Sequence, residues 1–211
     1  MGASISKLGE QSLPDHAPET NNIILIGMFG SGKSTVGRII ADKLRYTLVD
    51  TDLLIERKYK KPLQRVLDEL GMKGFMGMED KTLQDIQTRR CVVAPGGSSV
   101  YYPKGMAHLR KLGPVVFLKV DLREILKRIP DISNRGTVRR GGDSIPALYR
   151  ERAPLYRKYA DIIVDANSQN WQKTAAEVIK ALDIWREKKL KLSAKPKKKA
   201  MKSAPVAKKL K

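Results

Sequence analysis

Apolar residues in this chain come in short, unbroken bunches separated by stretches where they recur every three or four positions. Ile23-Ile24-Leu25-Ile26 is the first bunch, and such a run suits a strand buried on both faces of a parallel sheet. Residues 33–44 then show helical spacing. Thr47-Leu48-Val49 predicts a second strand ending at Asp50-Thr51-Asp52, with helical stretches over 62–70 and 78–89. Cys91-Val92-Val93-Ala94 predicts a third strand, which runs into Pro95-Gly96-Gly97-Ser98. Pro114 to Val120 predicts a fourth strand and Ile162-Ile163-Val164 a fifth, with helices over 121–129, 144–158 and 171–186. Strands alternating with helices predict an α/β/α sandwich on a five-stranded parallel sheet. Residues 1–21 read as a disordered lead-in, 22–186 as the folded domain, and 187–211 as a disordered Lys-rich tail. Residues 130–143, rich in Gly and Arg, read as a mobile lid loop.

One connection carries chemistry. Gly27-Met28-Phe29-Gly30-Ser31-Gly32-Lys33-Ser34 fits G-x-x-x-x-G-K-[ST], with Thr35 next, between the first strand and the first helix. This is the setting a phosphate-binding P-loop needs. Glycines turn backbone N–H groups onto a polyphosphate, and the helix N-terminus adds its dipole. Lys33 can reach the β- and γ-phosphates, and Ser34 can ligate Mg²⁺. An ordinary Gly/Ser turn would not demand every fixed position and both flanks. Ligands of open parallel sheets gather beyond the strands' carboxyl ends, where Asp50, Asp52, Gly96 and Gly97 also fall.

Composition narrows the setting. Cys91 is the only cysteine and His16 and His108 the only histidines, which excludes an intrachain disulfide and argues against a His/Cys metal cage. The first 20 residues lack an apolar core of signal-peptide type, and no run is long enough to span a bilayer, so a cytoplasmic protein is expected. Met1-Gly2-Ala3-Ser4-Ile5-Ser6 fits an acylation pattern too short to carry an assignment. The formal charge is +20, and residues 185–211 hold 12 Lys/Arg against one acid. That tail can bind nucleic acid or an anionic surface weakly and without sequence preference; a solvated extension is the plain alternative.

From about residue 22 to 183 the chain resembles the shikimate kinases, small P-loop kinases of the nucleoside-monophosphate-kinase type. The likeness rests on ordered pieces: the P-loop with Val36-Gly37-Arg38; Leu48-Val49-Asp50-Thr51-Asp52; Gly96-Gly97; Arg128 and Arg135; and Arg152-Ala153-Pro154-Leu155-Tyr156 followed by Ala160-Asp161. The resemblance implies ATP and Mg²⁺, a hydroxyl acceptor with shikimate the default, a place in aromatic amino acid biosynthesis, and a monomer. It implies a Mg²⁺ role for Ser34 and Asp50, orientation and deprotonation of the acceptor hydroxyl by Asp52, and catalytic charge from Lys33 and a lid arginine, Arg135. Arg139 and Arg140 could share the lid's task or be solvated. Gly96, Gly97 and Arg152 would meet the acceptor, with Arg128 and Asn167 on the adenine side. Asp50 also reads as a helix cap and Asp52 as a first-turn acid.

Three positions depart from the family pattern. Met76 stands where the family has an arginine that helps hold the acceptor carboxylate, Ser98 replaces the third glycine of a three-glycine turn, and Arg135-Gly136-Thr137 replaces Arg-Pro-Leu. Met72, Met76 and Met78 read as packing. These departures leave open a different hydroxy acid or sugar acid as acceptor, or a nucleotide-binding regulatory module with a decayed acceptor site.

Overall fold

The computed structural model of the chain describes residues 21–129 and 144–193. In chain order its elements are β1 (Ile23–Ile26), α1 (Lys33–Leu44), β2 (Thr47–Asp50), α2 (Thr51–Tyr59), α3 (Leu63–Gln84), β3 (Cys91–Ala94), a 3-10 turn (Ser99–Tyr101), α4 (Pro103–Leu112), β4 (Val115–Lys119), α5 (Leu122–Arg128), α6 (Ile145–Tyr159), β5 (Ile162–Asp165) and α7 (Trp171–Ser193). All five strands are parallel, in the order β2-β3-β1-β4-β5. Every residue of β1 and β3 is buried, as their unbroken apolar runs require.

Strand order sets the layers. The β1-to-β2 connection runs one way along the sheet and all later ones run the other way. Right-handed crossovers therefore put α1 on one face and α2–α6 on the opposite one. α7 returns to the first face, packing on α1 and β5, while α4 packs on β1 and α6 on β4. Ile23–Ile26, Val92, Val93 and Val115–Leu118 form the centre of the main core. A smaller apolar cluster of Ile55, Val66 and Phe75 ties α2 to α3. The reversal of direction lies between β1 and β3, which opens a crevice beyond their carboxyl ends.

The predicted strands and the 33–44 helix stand where the apolar pattern put them. Several helices differ. Residues 62–70 and 78–89 were expected as two helices; α3, Leu63–Gln84, is two helical segments joined by a kink at Gly71 (φ 64, ψ 169), the second starting and ending earlier than expected. Burial of Phe75 holds the glycine-rich stretch after Gly71 in the helix. α3 ends at Gln84 because the chain turns back to enter β3, through Arg90 in the left-handed region. α2 was anticipated only by the reading of Asp50 as a cap and Asp52 as a first-turn acid, and α4 had no predicted counterpart: α2 is capped by Asp50 and packs on α3 through Ile55, while α4 starts at Pro103. The last helix continues to Ser193 rather than stopping at 186, so 187–193 are helical and not part of a disordered tail. The proposed lid at 130–143, with Arg135, Arg139 and Arg140, lies outside the described residues, as do 1–20 and 194–211. Among the described residues no helix is long and apolar enough to cross a membrane.

Candidate active site

The P-loop is tied together by its own hydrogen bonds. Ser31 N donates to Met28 O at 3.1 Å, and Lys33 Nζ reaches back to Gly27 O (2.9 Å) and Met28 O (3.0 Å). Gly32 starts α1 with φ 89, a left-handed conformation that favours glycine, and a Cβ there would meet the Trp171 ring at 2.7 Å. No side chain caps α1, so its first amides remain available to phosphate oxygens.

Ser34 and Asp50 meet across the crevice, Ser34 Oγ donating to Asp50 Oδ2 at 2.6 Å. Asp50 Oδ1 accepts from the amides of Asp52 (3.1 Å) and Leu53 (3.4 Å), so the cap and the Ser34 contact use different oxygens of one carboxylate. The cap reading of Asp50 therefore holds, and its second oxygen is left to face Ser34. A hydroxyl and a carboxylate beside an uncapped helix N-terminus are hard oxygen donors of the kind Mg²⁺ takes together with substrate phosphates. No cluster of three or more His, Cys, Asp or Glu that could cage a metal occurs among the described residues.

Asp52 occupies the first turn of α2, facing the turn after β3. Its Oδ1 is buried and makes no hydrogen bond, and it lies 2.7 Å from where a Cβ on Gly96 would be. Gly96 N is held by Thr51 Oγ1 at 3.1 Å, which fixes that close approach. Burial pushes the Asp52 pKa from 3.8 up to about 6, helped by Asp50 and opposed by Lys33. A carboxylate so tuned is a better proton acceptor than an exposed one.

The next turn residue meets the cation. A Cβ on Gly97 would lie 3.3 Å from Arg152 Nη1, and Gly97 O accepts from Tyr156 OH at 2.6 Å. Arg152 is fully buried, with Nε donating to Tyr101 OH at 3.1 Å and the guanidinium stacked on the Tyr101 ring. Burial works against its charge, but Tyr156 and Tyr101 outweigh it and its pKa is raised.

On the opposite side, Arg128 ties the P-loop to the turn after β5. Its guanidinium donates to Gly30 O (3.3 Å), Ala166 O (2.9 Å) and Asn167 O (2.7 Å), and lies 4.9 Å from the Trp171 ring centroid. The Asn167 side chain accepts from Asp121 N at 2.8 Å and donates to the Asp121 and Asp165 carboxylates.

Predicted residues Lys33, Ser34, Asp50, Asp52, Gly96, Gly97 and Arg152 thus converge on one end of the sheet, with Arg128 and Asn167 beside the P-loop, while Thr35 is an exposed residue of α1. Sequence reasoning missed Glu79, Tyr101, Tyr102 and Trp171. Glu79 had a readable signal: Phe75, Glu79 and Leu83 form one buried helical stripe, and an acid inside such a stripe needs partners. The tyrosines and Trp171 had none, because their places depend on how distant elements pack.

A family model described as "Shikimate kinase" matches residues 29–183. The chain belongs to the shikimate kinase family. It is 35% identical over 164 residues to a shikimate kinase of Nitrosomonas europaea, covering 76% of this chain and 78% of that one. It is likewise 35% identical over 170 residues to one of Colwellia psychrerythraea, covering 79% and 99%. The fold is similar to a shikimate kinase of Acinetobacter baumannii solved in complex with shikimate: TM-score 0.70, 28% identity, 85% of this chain and 97% of that one. It is also similar to that of Aquifex aeolicus, with TM-score 0.68, 26% identity, and coverage of 77% and 96%. The chain is therefore an α/β P-loop kinase that uses ATP to phosphorylate a hydroxyl.

Proposed function

We propose that this protein transfers the γ-phosphoryl group of ATP to a hydroxyl of shikimate. The observation that carries the reading is Asp52: a buried carboxyl oxygen without a hydrogen-bond partner, packed on Gly96, with Arg152 at the adjoining residue of the same turn. That arrangement suits a small molecule bearing both a hydroxyl and a carboxylate. Asp52 orients the hydroxyl and takes its proton, and Arg152 pairs with the carboxylate. The P-loop amides hold the phosphates, and Lys33 leaves its two carbonyls for the transferred group. Ser34 and Asp50 would hold Mg²⁺, which would compensate charge on the phosphates. Arg128 and Asn167 border the adenine, and Arg135, outside the described residues, brings a further cation from the lid. The tail after Ser193 takes at most weak, salt-sensitive contacts with polyanions.

An acceptor panel read by ADP release tests this. Shikimate should stimulate release strongly, with Mg²⁺ required, and Lys33→Ala should lower turnover by about 100-fold or more. Stimulation by another hydroxy acid or sugar acid, with shikimate inert, would replace the assigned acceptor and keep the reaction class.

A further inference from the structure

Glu79 is the buried acid that the reaction does not employ. It sits on α3 at 6% exposure. Its hydrogen-bond donors are two neutral hydroxyls: Ser98 Oγ lies 2.8 Å from each carboxyl oxygen, and Tyr102 OH donates to Oε2. Buried carboxylates are ordinarily held by a cation. Arg152 is near enough to act on Glu79 through its field, but its Nε is spent on Tyr101. Met76 stands three residues earlier on the same helix, the spacing at which one side chain reaches another. It is half-buried and packs against both apolar clusters. A thioether therefore occupies the position from which a cation on α3 could approach Glu79.

The turn at 96–98 links this cluster to the acceptor pocket. A Cβ on Gly96 would be 2.7 Å from Asp52 Oδ1 and 3.2 Å from Glu79 Oε1, Gly97 borders Arg152, and Ser98 bonds Glu79. Resting on the reading of this pocket as the acceptor site, we propose that Ser98 and Met76 form one specificity-determining pair, in which the Ser98 hydroxyl holds Glu79 in place of a cation from position 76. Glu79 stays locked on the turn that shapes the pocket, and the acceptor carboxylate is left to Arg152 on that wall. Position 76 is then free to be apolar only because position 98 carries a hydroxyl.

The test is a four-variant cycle on the full chain: wild type, Ser98→Ala, Met76→Arg and the double variant. Ser98 has helical backbone angles (φ −78, ψ −14), so alanine fits without strain and removes only the hydroxyl. Shikimate KM, ATP KM and thermal midpoint are measured for each. Ser98→Ala should raise shikimate KM about tenfold or more, with ATP KM within about twofold. Met76→Arg should change shikimate KM less than about threefold, because Ser98 already occupies Glu79. The double variant should return shikimate KM to the wild-type value or below, so that the effect of one substitution depends about tenfold on the other. Ser98→Thr, which keeps a hydroxyl, should rescue the split between the two KM values. Independent effects, or equal changes in both KM values, overturn the pair. The midpoints are read without acceptor and should show coupling of the same sign. Coupled midpoints in a wild type that leaves shikimate untouched would sink the assigned acceptor and support the pair, whereas uncoupled midpoints sink the pair.

Discussion

Burial pushes the Glu79 pKa from 4.5 up to about 7, against the help of Tyr102 and Ser98 and with Asp52 adding to the rise. A carboxyl whose folded pKa is raised binds its proton more tightly in the folded chain. Its contribution to stability is therefore full below about pH 4.5 and is lost as pH rises through about 7. Glu79→Gln removes that dependence. The fall in thermal midpoint between about pH 5 and pH 8 should be larger for wild type than for Glu79→Gln. Equal slopes would mean that Glu79 keeps the pKa of an exposed acid. At this scale the motif residues were legible because P-loop chemistry is local in sequence. Tyr102 and Trp171 were not, because burial against a residue far along the chain leaves no short pattern, whereas Glu79 left one in the Phe75, Glu79, Leu83 stripe that went unread.

Among elements, β1, β3 and β4 were legible for a plain physical reason: a strand buried on both faces has to be apolar throughout. α2 was legible only at its start, in Asp50 as a cap and Asp52 as a first-turn acid, because two buried residues leave little periodicity along the rest. Conversely, the glycines after Gly71 hid a helix that tertiary packing of Phe75 enforces. The contacts made by Arg128 tie two segments together, the P-loop through Gly30 and the β5–α7 turn through Ala166 and Asn167. Arg128→Ala frees those carbonyls and should raise ATP KM about tenfold or more, with acceptor KM changed less than about twofold. Equal effects on both substrates would show that Arg128 serves the fold as a whole.

Across the molecule, the parallel sheet gathers the predicted site residues at one end, and Leu182 is the last buried residue of α7, which continues to Ser193. The last turns of α7 carry exposed Ile184, Leu190 and Leu192. Deleting 187–211 should leave kcat and both KM values within about twofold of the full chain. A severe loss would place the tail in the fold or the site. The central claim is transfer of phosphate to shikimate, and mass spectrometry of the acceptor after incubation with ATP and Mg²⁺ tests it most directly. Shikimate should carry one added phosphoryl group, formed in step with ADP and absent when Asp52→Asn replaces the wild type. ADP accumulating while shikimate keeps its original mass would contradict it.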